Sequence, residues 1–246
     1  MTVSENRVAI VTGASRGIGA AIADRLARDG FTVVINYSGN ATPAEELAAA
    51  VEKRGGKALT AKADVSDAEA VRRMFDAAET AFGGVDVLVN NAGIMALSSI
   101  SDADDAHFQR MIDVNLKGTF NTLREAGKRL RDGGRIVNFS TSVVELKLET
   151  YGVYAATKAA VETMTAIMAK EMRGRNITIN AIAPGPTATD LFLNGKSDEL
   201  VARMAKMNPL ERLGTPEDIA AAVSFLAGPD GSWINGQVLR ANGGMI

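Results

Sequence analysis

The 246-residue chain is 46% hydrophobic but only 5% aromatic, so its core has to be aliphatic, and its length suits one large α/β domain. A net charge of −2, with neither sign gathered into a block, argues against nucleic-acid binding through backbone electrostatics. The absence of Cys excludes disulfides, thiolate nucleophiles and Cys-ligated metals. The single His, His107, sits among Asp102, Asp104 and Asp105 and reads as a solvated helix residue, which leaves neither a Ser-His-Asp triad nor a multi-His metal site.

The start, Met1 to Arg7, is polar and no apolar run reaches membrane-spanning length, so a cytoplasmic protein with no membrane partner is expected. Short aliphatic runs at 7–12, 32–36, 58–61, 85–90, 135–140, 178–183 and 237–240 predict seven strands. Helical patterns fall between them at 17–29, 43–54, 67–82, 103–131, 152–173 and 216–227. Val8-Ala9-Ile10-Val11 is continuously apolar, as in a strand covered on both faces. Strict alternation predicts right-handed crossovers and hence a doubly wound, seven-stranded parallel sheet with helices on both faces: a single α/β Rossmann domain over 1–246.

The first strand runs into Thr12-Gly13-Ala14-Ser15-Arg16-Gly17-Ile18-Gly19 and then a helix. Glycines at this place let the backbone approach a pyrophosphate, and the helix start offers unpaired N–H groups and partial positive charge, although a bare structural turn would use the same residues. An NAD site commonly has a carboxylate at the end of the second strand, but here stand Asn36-Tyr37-Ser38. Arg16 with Ser38 suits a 2′-phosphate instead, pointing to NADP(H) and leaving NAD(H) open; otherwise Arg16 is an ordinary surface residue.

Carbonyl reduction needs a hydride at carbon and a proton at oxygen. A phenol is a weak acid, with a reference pKa of about 10, and a neighbouring cation stabilises its phenolate. Tyr154 and Lys158 are four apart and share a helix face, whereas Tyr151 has Ala155 at that offset, so Tyr154 is the candidate proton donor. Asn115 lies on the apolar face formed by Phe108, Met111, Ile112 and Leu116, where a buried amide must find partners. The run from Pro184 to Thr215 breaks the alternation with flexible apolar residues after a strand end. A substrate lid at about 186–213 is expected there, the alternative being a connector packed on the rim. Val161, Met164, Met168 and Met172 form a stripe that is either core or an oligomer contact.

Taken together, the glycine turn, Asp64-Val65, Asn90-Asn91-Ala92-Gly93, Asn115, Tyr154-x-x-x-Lys158, Pro184-Gly185 and Asn242-Gly243-Gly244 resemble the short-chain dehydrogenase/reductase family over residues 7–244. The likeness is strongest to NADP-dependent ketoreductases of the hydroxynaphthalene-reductase-like and 3-oxoacyl-reductase-like kind. It implies that Asn115 distorts its helix and holds a proton-relay water, and that Tyr154 and Lys158 also contact the nicotinamide ribose. Asp64 and Val65 would bracket adenine, and Asn91, Ala92 and Gly93 would run along the ribose. Pro184, Gly185, Thr187 and Thr189 would line the carboxamide and pyrophosphate end. The family's Ser thirteen residues before the Tyr is here Thr141, with Ser142 the alternative if the strand end bulges by one residue. Enoyl reductases space the Tyr and Lys by seven, which disfavours that branch. The expected protein is an NADP(H)-dependent homotetramer acting on a small-molecule ketone or alcohol; the alternative is a non-catalytic NADP(H)-sensing regulator on the same fold.

Overall fold

The computed structural model describes residues 7–246, so the polar residues 1–6 lie outside the described residues. Seven strands are present, β1 Val8–Val11, β2 Thr32–Tyr37, β3 Ala58–Lys62, β4 Val85–Asn90, β5 Leu130–Phe139, β6 Thr178–Pro184 and β7 Val238–Ala241. They pair in parallel in the order β3-β2-β1-β4-β5-β6-β7. Alternate residues of the central strands feed two separate cores. Ala9, Val11, Val33, Ile35, Val87 and Val89 pack against α1 (Gly17–Arg28), α2 (Thr42–Lys53) and α10 (Pro216–Ala227). Val8, Ile10, Val34, Leu88, Ile136 and Ile179 pack against α3 (Ala68–Phe82), α5 (Gly118–Arg129) and α7 (Gly152–Glu171). This two-faced burial explains the unbroken apolar strands. The Val161, Met164, Met168 and Met172 stripe belongs to the same interior: Val161 and Met168 are buried, and Met164 and Met172 pack against the second core.

Helix ends carry the capping that their sequences offer. The Asp67 side chain accepts from Glu69 N–H before α3, and Gly83 takes the left-handed conformation (φ 78°) after it. Thr215 and Asp218 form a reciprocal capping box with Pro216 opening α10.

Two boundaries differ from the sequence pattern. The helix expected over 103–131 is three pieces: α4 (Asp105–Met111), a π-helical segment Ile112–Lys117, and α5. The fifth strand begins at Leu130 instead of 135, because a register shift between Val85 and Val87 lets Leu130 pair with Val85 and Arg135 with Val87. The segment 131–134, with two glycines, is the slack.

Chain direction reverses its progress across the sheet at β1, which has β2 on one side and β4 on the other. Ligands of such sheets bind outside the strand C-termini at that place. Between β6 and α10, residues 186–213 project over this edge with α8 (Asp190–Leu193) and α9 (Asp198–Ala205). The base of the projection is closed by a bridge between Thr187 and Gly214, where Ala188 N–H donates to Gly214 (2.9 Å) and Gly214 N–H to Pro186 (2.9 Å). Among the described residues no helix is long and apolar enough to cross a membrane.

Candidate active site

The glycine turn closes onto the end of β4. Gly13 has φ +61°, and a Cβ there would stand 2.9 Å from Ala92 Cα; a Cβ at Gly19 would stand 2.3 Å from the Gly13 carbonyl and 2.5 Å from Asn91 Nδ2. Side chains cannot fit at either point, so the chain packs backbone on backbone. Asn91 Nδ2 donates to the carbonyls of Thr12 (2.9 Å) and Gly13 (3.1 Å), and Ala92 N–H donates to Thr12 Oγ1 (3.0 Å). Asn36 completes the turn: its Oδ1 accepts from Gly13 N–H (3.1 Å) while its Nδ2 donates to Ala61 and Ala63. The sequence reading missed this role, for which the signal was an amide inside the otherwise aliphatic Thr32-Val33-Val34-Ile35 strand. Helix α1 starts at Gly17, and its first N–H groups have no intrahelical acceptors and face the crevice with the helix's positive end.

Two clefts meet at Gly93 and Ile94. One is lined by Arg16, Ser38, Asp64 and Val65, together with Gln109 and Arg110, which the sequence did not single out. Arg16 is exposed and makes no ion pair among the described residues, and Asp64 is occupied locally by Ser66 N–H (2.9 Å) and Oγ (2.7 Å). The other cleft holds Ile18, Asn91, Tyr154, Lys158, Pro184, Gly185, Thr187 and Thr189. A Cβ at Gly17 would touch the Thr189 side chain (3.6 Å), so the turn and the base of the 186–213 projection adjoin. Ser15, the remaining turn residue, is partly buried. An elongated group with a pyrophosphate at its middle fits this pair of clefts, with glycines and a helix start where the phosphates would lie.

Asn115 is fully buried in the π segment, and its amide clasps both backbone polar groups of one residue: Oδ1 accepts from Ile94 N–H (2.8 Å) and Nδ2 donates to the Ile94 carbonyl (2.9 Å). The extra residue in that turn keeps the amide pointed at the loop after β4, and Thr119 Oγ1 satisfies the Asn115 carbonyl (2.9 Å). Gly93 lies between Asn115 and Lys158; a Cβ there would be 3.2 Å from Asn115 Oδ1 and 3.5 Å from Lys158 Nζ.

Helix α7 delivers Tyr154 and Lys158 to the cleft. Lys158 is 4% exposed, its Nζ donates to the Phe139 carbonyl (2.9 Å), and it stands 5.9 Å from the Tyr154 ring centre. Burial with no carboxylate to offset it pulls the Lys158 pKa down to about 8. Enclosure of the Tyr154 hydroxyl pushes its pKa up to about 12, with a hydrogen bond from Thr141 opposing and Tyr151 reinforcing the rise. The expected downward pull of Lys158 on the phenol does not figure among these causes, the ammonium being turned to the strand end.

The two hydroxyls between β5 and the short helix α6 (Val143–Leu146) point to different partners. Thr141 hydrogen-bonds Tyr154 and accepts from Val143 N–H (3.3 Å). Ser142 is tied down on the opposite side, donating to Ala183 (3.4 Å) and accepting from Asn242 Nδ2 (3.1 Å). His107, partly buried, lines neither cleft, and no group of three or more His, Asp or Glu among the described residues has metal-site geometry.

A family model described as enoyl-(acyl carrier protein) reductase matches residues 13–246. A short-chain type dehydrogenase/reductase from Picea abies is 48% identical over 250 residues, covering 98% of this chain and 92% of the relative. The Arabidopsis thaliana protein named NADPH-dependent aldehyde reductase 2, chloroplastic, is 46% identical, with 98% and 94% covered. A short chain dehydrogenase from Burkholderia cenocepacia, solved in complex with NADP, superposes with a TM-score of 0.92 at 37% identity, covering 97% of each chain.

Proposed function

Because the chain belongs to the short-chain dehydrogenase/reductase family, we propose that it is an oxidoreductase that uses NADP(H) to reduce a ketone to a secondary alcohol, or the reverse, with Tyr154 as proton donor. The observation that carries this reading is the pairing of Tyr154 with Thr141 at the mouth of an apolar cleft whose only cation, among the described residues, is Lys158.

Bound NADPH supplies the hydride to the carbonyl carbon. The Thr141 hydroxyl and the Tyr154 phenol converge on the place of the carbonyl oxygen, orienting it and donating the proton. With its pKa pushed up to about 12, Tyr154 is protonated throughout the physiological range and is an acid only toward a strongly basic oxygen such as a nascent alkoxide. Lys158 adds positive charge beside the phenolate that remains, and Asn115 with Gly93 holds the loop against which Lys158 rests. Arg16 and Ser38, with no carboxylate at the end of β2, support the choice of NADP(H) over NAD(H), in agreement with what the Arabidopsis and Burkholderia proteins are named for using. The four-residue spacing of Tyr154 and Lys158 favours carbonyl over enoyl chemistry, whatever the family model's description.

The segment 186–213 is read as the lid, hinged on the Thr187–Gly214 bridge and lining the cleft with Leu191, Phe192, Met204 and Met207. Exposed Phe120 on α5 and Ile167 on α7 support a homotetramer built on those helices, in a cytoplasmic protein; a monomer by light scattering overturns the tetramer. The function itself is tested by following NADPH absorbance with a broad ketone panel for the wild type and Tyr154→Phe. Turnover lost in the variant with NADPH affinity retained supports the reading. A wild type that binds NADPH but turns over no ketone overturns it in favour of a sensor.

A further inference from the structure

The cleft in front of Tyr154 spans about 960 Å³, solvent at its opening included, and its walls come from widely separated parts of the chain. Met95 arrives from the loop after β4, Tyr151 from the start of α7, Met204 and Met207 from the lid, and Met245 from the C-terminal turn. The polar groups of the cleft lie at the strand ends and are largely engaged: Thr187 Oγ1 donates to Gly185 (3.0 Å), the Thr189 hydroxyl caps Phe192 N–H (3.3 Å), and Ser142 is held by Asn242. Beyond Thr141 and Tyr154, therefore, the substrate side offers mainly thioethers, aliphatic carbons and the rings of Phe139, Tyr151 and Phe192. No carboxylate and no Arg line it among the described residues.

The rim tells against a charged or carrier-borne substrate. Residues 143–150 and 186–213 carry five basic and six acidic side chains, intermixed. Of the basic ones, Arg212 is paired with Asp218, and Lys196 bonds to the Phe192 carbonyl and lies 4.6 Å from that ring. Arg203 and Lys206 make no ion pair among the described residues, but the six acidic side chains interleaved with the basic ones leave the rim without the net positive charge that favours a coenzyme thioester or an acidic carrier protein. Leu191 (54% exposed) and Met207 (42% exposed) instead present bare apolar surface at the opening, the kind of surface that a lipophilic ligand covers.

Methionine is unbranched and polarisable, fits irregular shapes and makes favourable contacts with aromatic rings. Tyr151 is 8% exposed, stands edge-to-face to Tyr154 with ring centres 6.3 Å apart, and stays a neutral phenol because burial raises its pKa. Its ring is thus a fixed wall beside the proton donor, in a cleft whose methionine side chains adapt.

On the carbonyl-reduction reading, we propose that the substrate is an uncharged, lipophilic carbonyl compound taken free from solution, whose aromatic ring sits between Tyr151 and the thioethers of Met204 and Met207. In the overall step one hydride passes from NADPH to the carbonyl carbon and one proton from Tyr154 to its oxygen, leaving the alcohol and NADP⁺.

Four probes test this with NADPH as cosubstrate: 2-tetralone, whose carbonyl is not conjugated to its aromatic ring; 2-decalone, its saturated counterpart; dihydroxyacetone; and acetoacetyl-coenzyme A. The expected kcat/KM for 2-tetralone exceeds that for 2-decalone by about three- to tenfold, and both exceed the polar probes by at least about a hundredfold. In Met204→Leu/Met207→Leu, which keeps apolar bulk, the ratio of kcat/KM for 2-tetralone to that for 2-decalone falls toward one; a ratio held at its wild-type value overturns the aromatic seat. If that variant loses its thermal transition, the dissociation constants of the two bicyclic ketones for the wild-type NADP⁺ complex decide, and equal values overturn the aromatic seat. Preferred turnover of dihydroxyacetone or acetoacetyl-coenzyme A overturns the substrate class and leaves carbonyl reduction standing. Turnover of none of the four, with NADPH bound, removes the reduction reading and the substrate class with it.

Discussion

The Lys158 ammonium lies 5.9 Å from the centre of the Tyr154 ring, yet its hydrogen bond goes to the Phe139 carbonyl, 2.9 Å away at the end of β5. The two side chains that share a face of α7 therefore titrate under different influences. Lys158 loses its proton near 8, and Tyr154 keeps its own to about 12. If the lysine acts by its charge, kcat/KM for reduction is level through neutrality and falls above about pH 8, close to tenfold per pH unit. Lys158→Arg, which holds its charge, shifts that limb well upward. A wild-type profile flat to roughly pH 10 would show that the charge of Lys158 plays no part.

Burial of that ammonium also costs stability, and the sign follows from the direction of the shift. The folded-state pKa of about 8 is below the ordinary 10.5, so below pH 8 both states are protonated and the folded state bears the full penalty of burying a charge. Between the two values the unfolded chain binds the extra proton, so stability rises with pH. At neutral pH the penalty is about 3 kcal/mol. Lys158→Met removes it but orphans the Phe139 carbonyl, which costs about 1 kcal/mol. The variant is expected to melt at a higher temperature than wild type at pH 7, with the gap closing as pH rises from 8 toward 10.5. A variant less stable than wild type at pH 7 overturns this account.

Adjacent hydroxyls after β5 should separate cleanly. Thr141→Ala removes the partner of the Tyr154 phenol, and a loss of roughly ten- to a hundredfold in kcat is expected, restored by Thr141→Ser. Ser142→Ala leaves kcat within about threefold but strands Asn242 Nδ2 and lowers stability by about 1 kcal/mol. The opposite pattern in steady-state kinetics and thermal melts would move the substrate-orienting role to Ser142.

Strands buried on both faces announce themselves as continuous aliphatic runs, so the order of elements was legible from sequence, as were the glycine turn and the four-residue spacing of Tyr154 and Lys158. Where the reading stopped is physically specific. A π turn adds a residue without erasing the apolar face of its helix, so 103–131 looked unbroken, and only Asn115 on the buried side hinted otherwise. The early start of β5 depends on a pairing shift against Val85, a partner distant in the chain. Thr141 and Ser142 lie past the end of β5, in the turn into the next helix, where no strand alternation sets their directions, so telling them apart required knowing where Asn242 and Tyr154 stand. The direction of the Lys158 ammonium is likewise a tertiary fact: nothing local names the Phe139 carbonyl as its acceptor.

Cofactor preference rests on a different kind of contact, an exposed cation waiting beside a neutral strand end. Arg16 makes no ion pair among the described residues and shares its cleft with Ser38. A charge-assisted hydrogen bond to a 2′-phosphate is worth about 1.5–3 kcal/mol, so Arg16→Ala is expected to lower kcat/KM for NADPH by roughly ten- to a hundredfold while NADH is left nearly unchanged. Because Arg16 is exposed, the wild-type preference should shrink as salt is raised, whereas the preference left in the variant should respond little. Parallel titrations of NADPH and NADH at low and high ionic strength read both effects. An equal fall for the two cofactors would mean that Arg16 shapes the glycine turn instead of reading the phosphate, and the discrimination would then have to come from Ser38 or from Arg110 across the cleft.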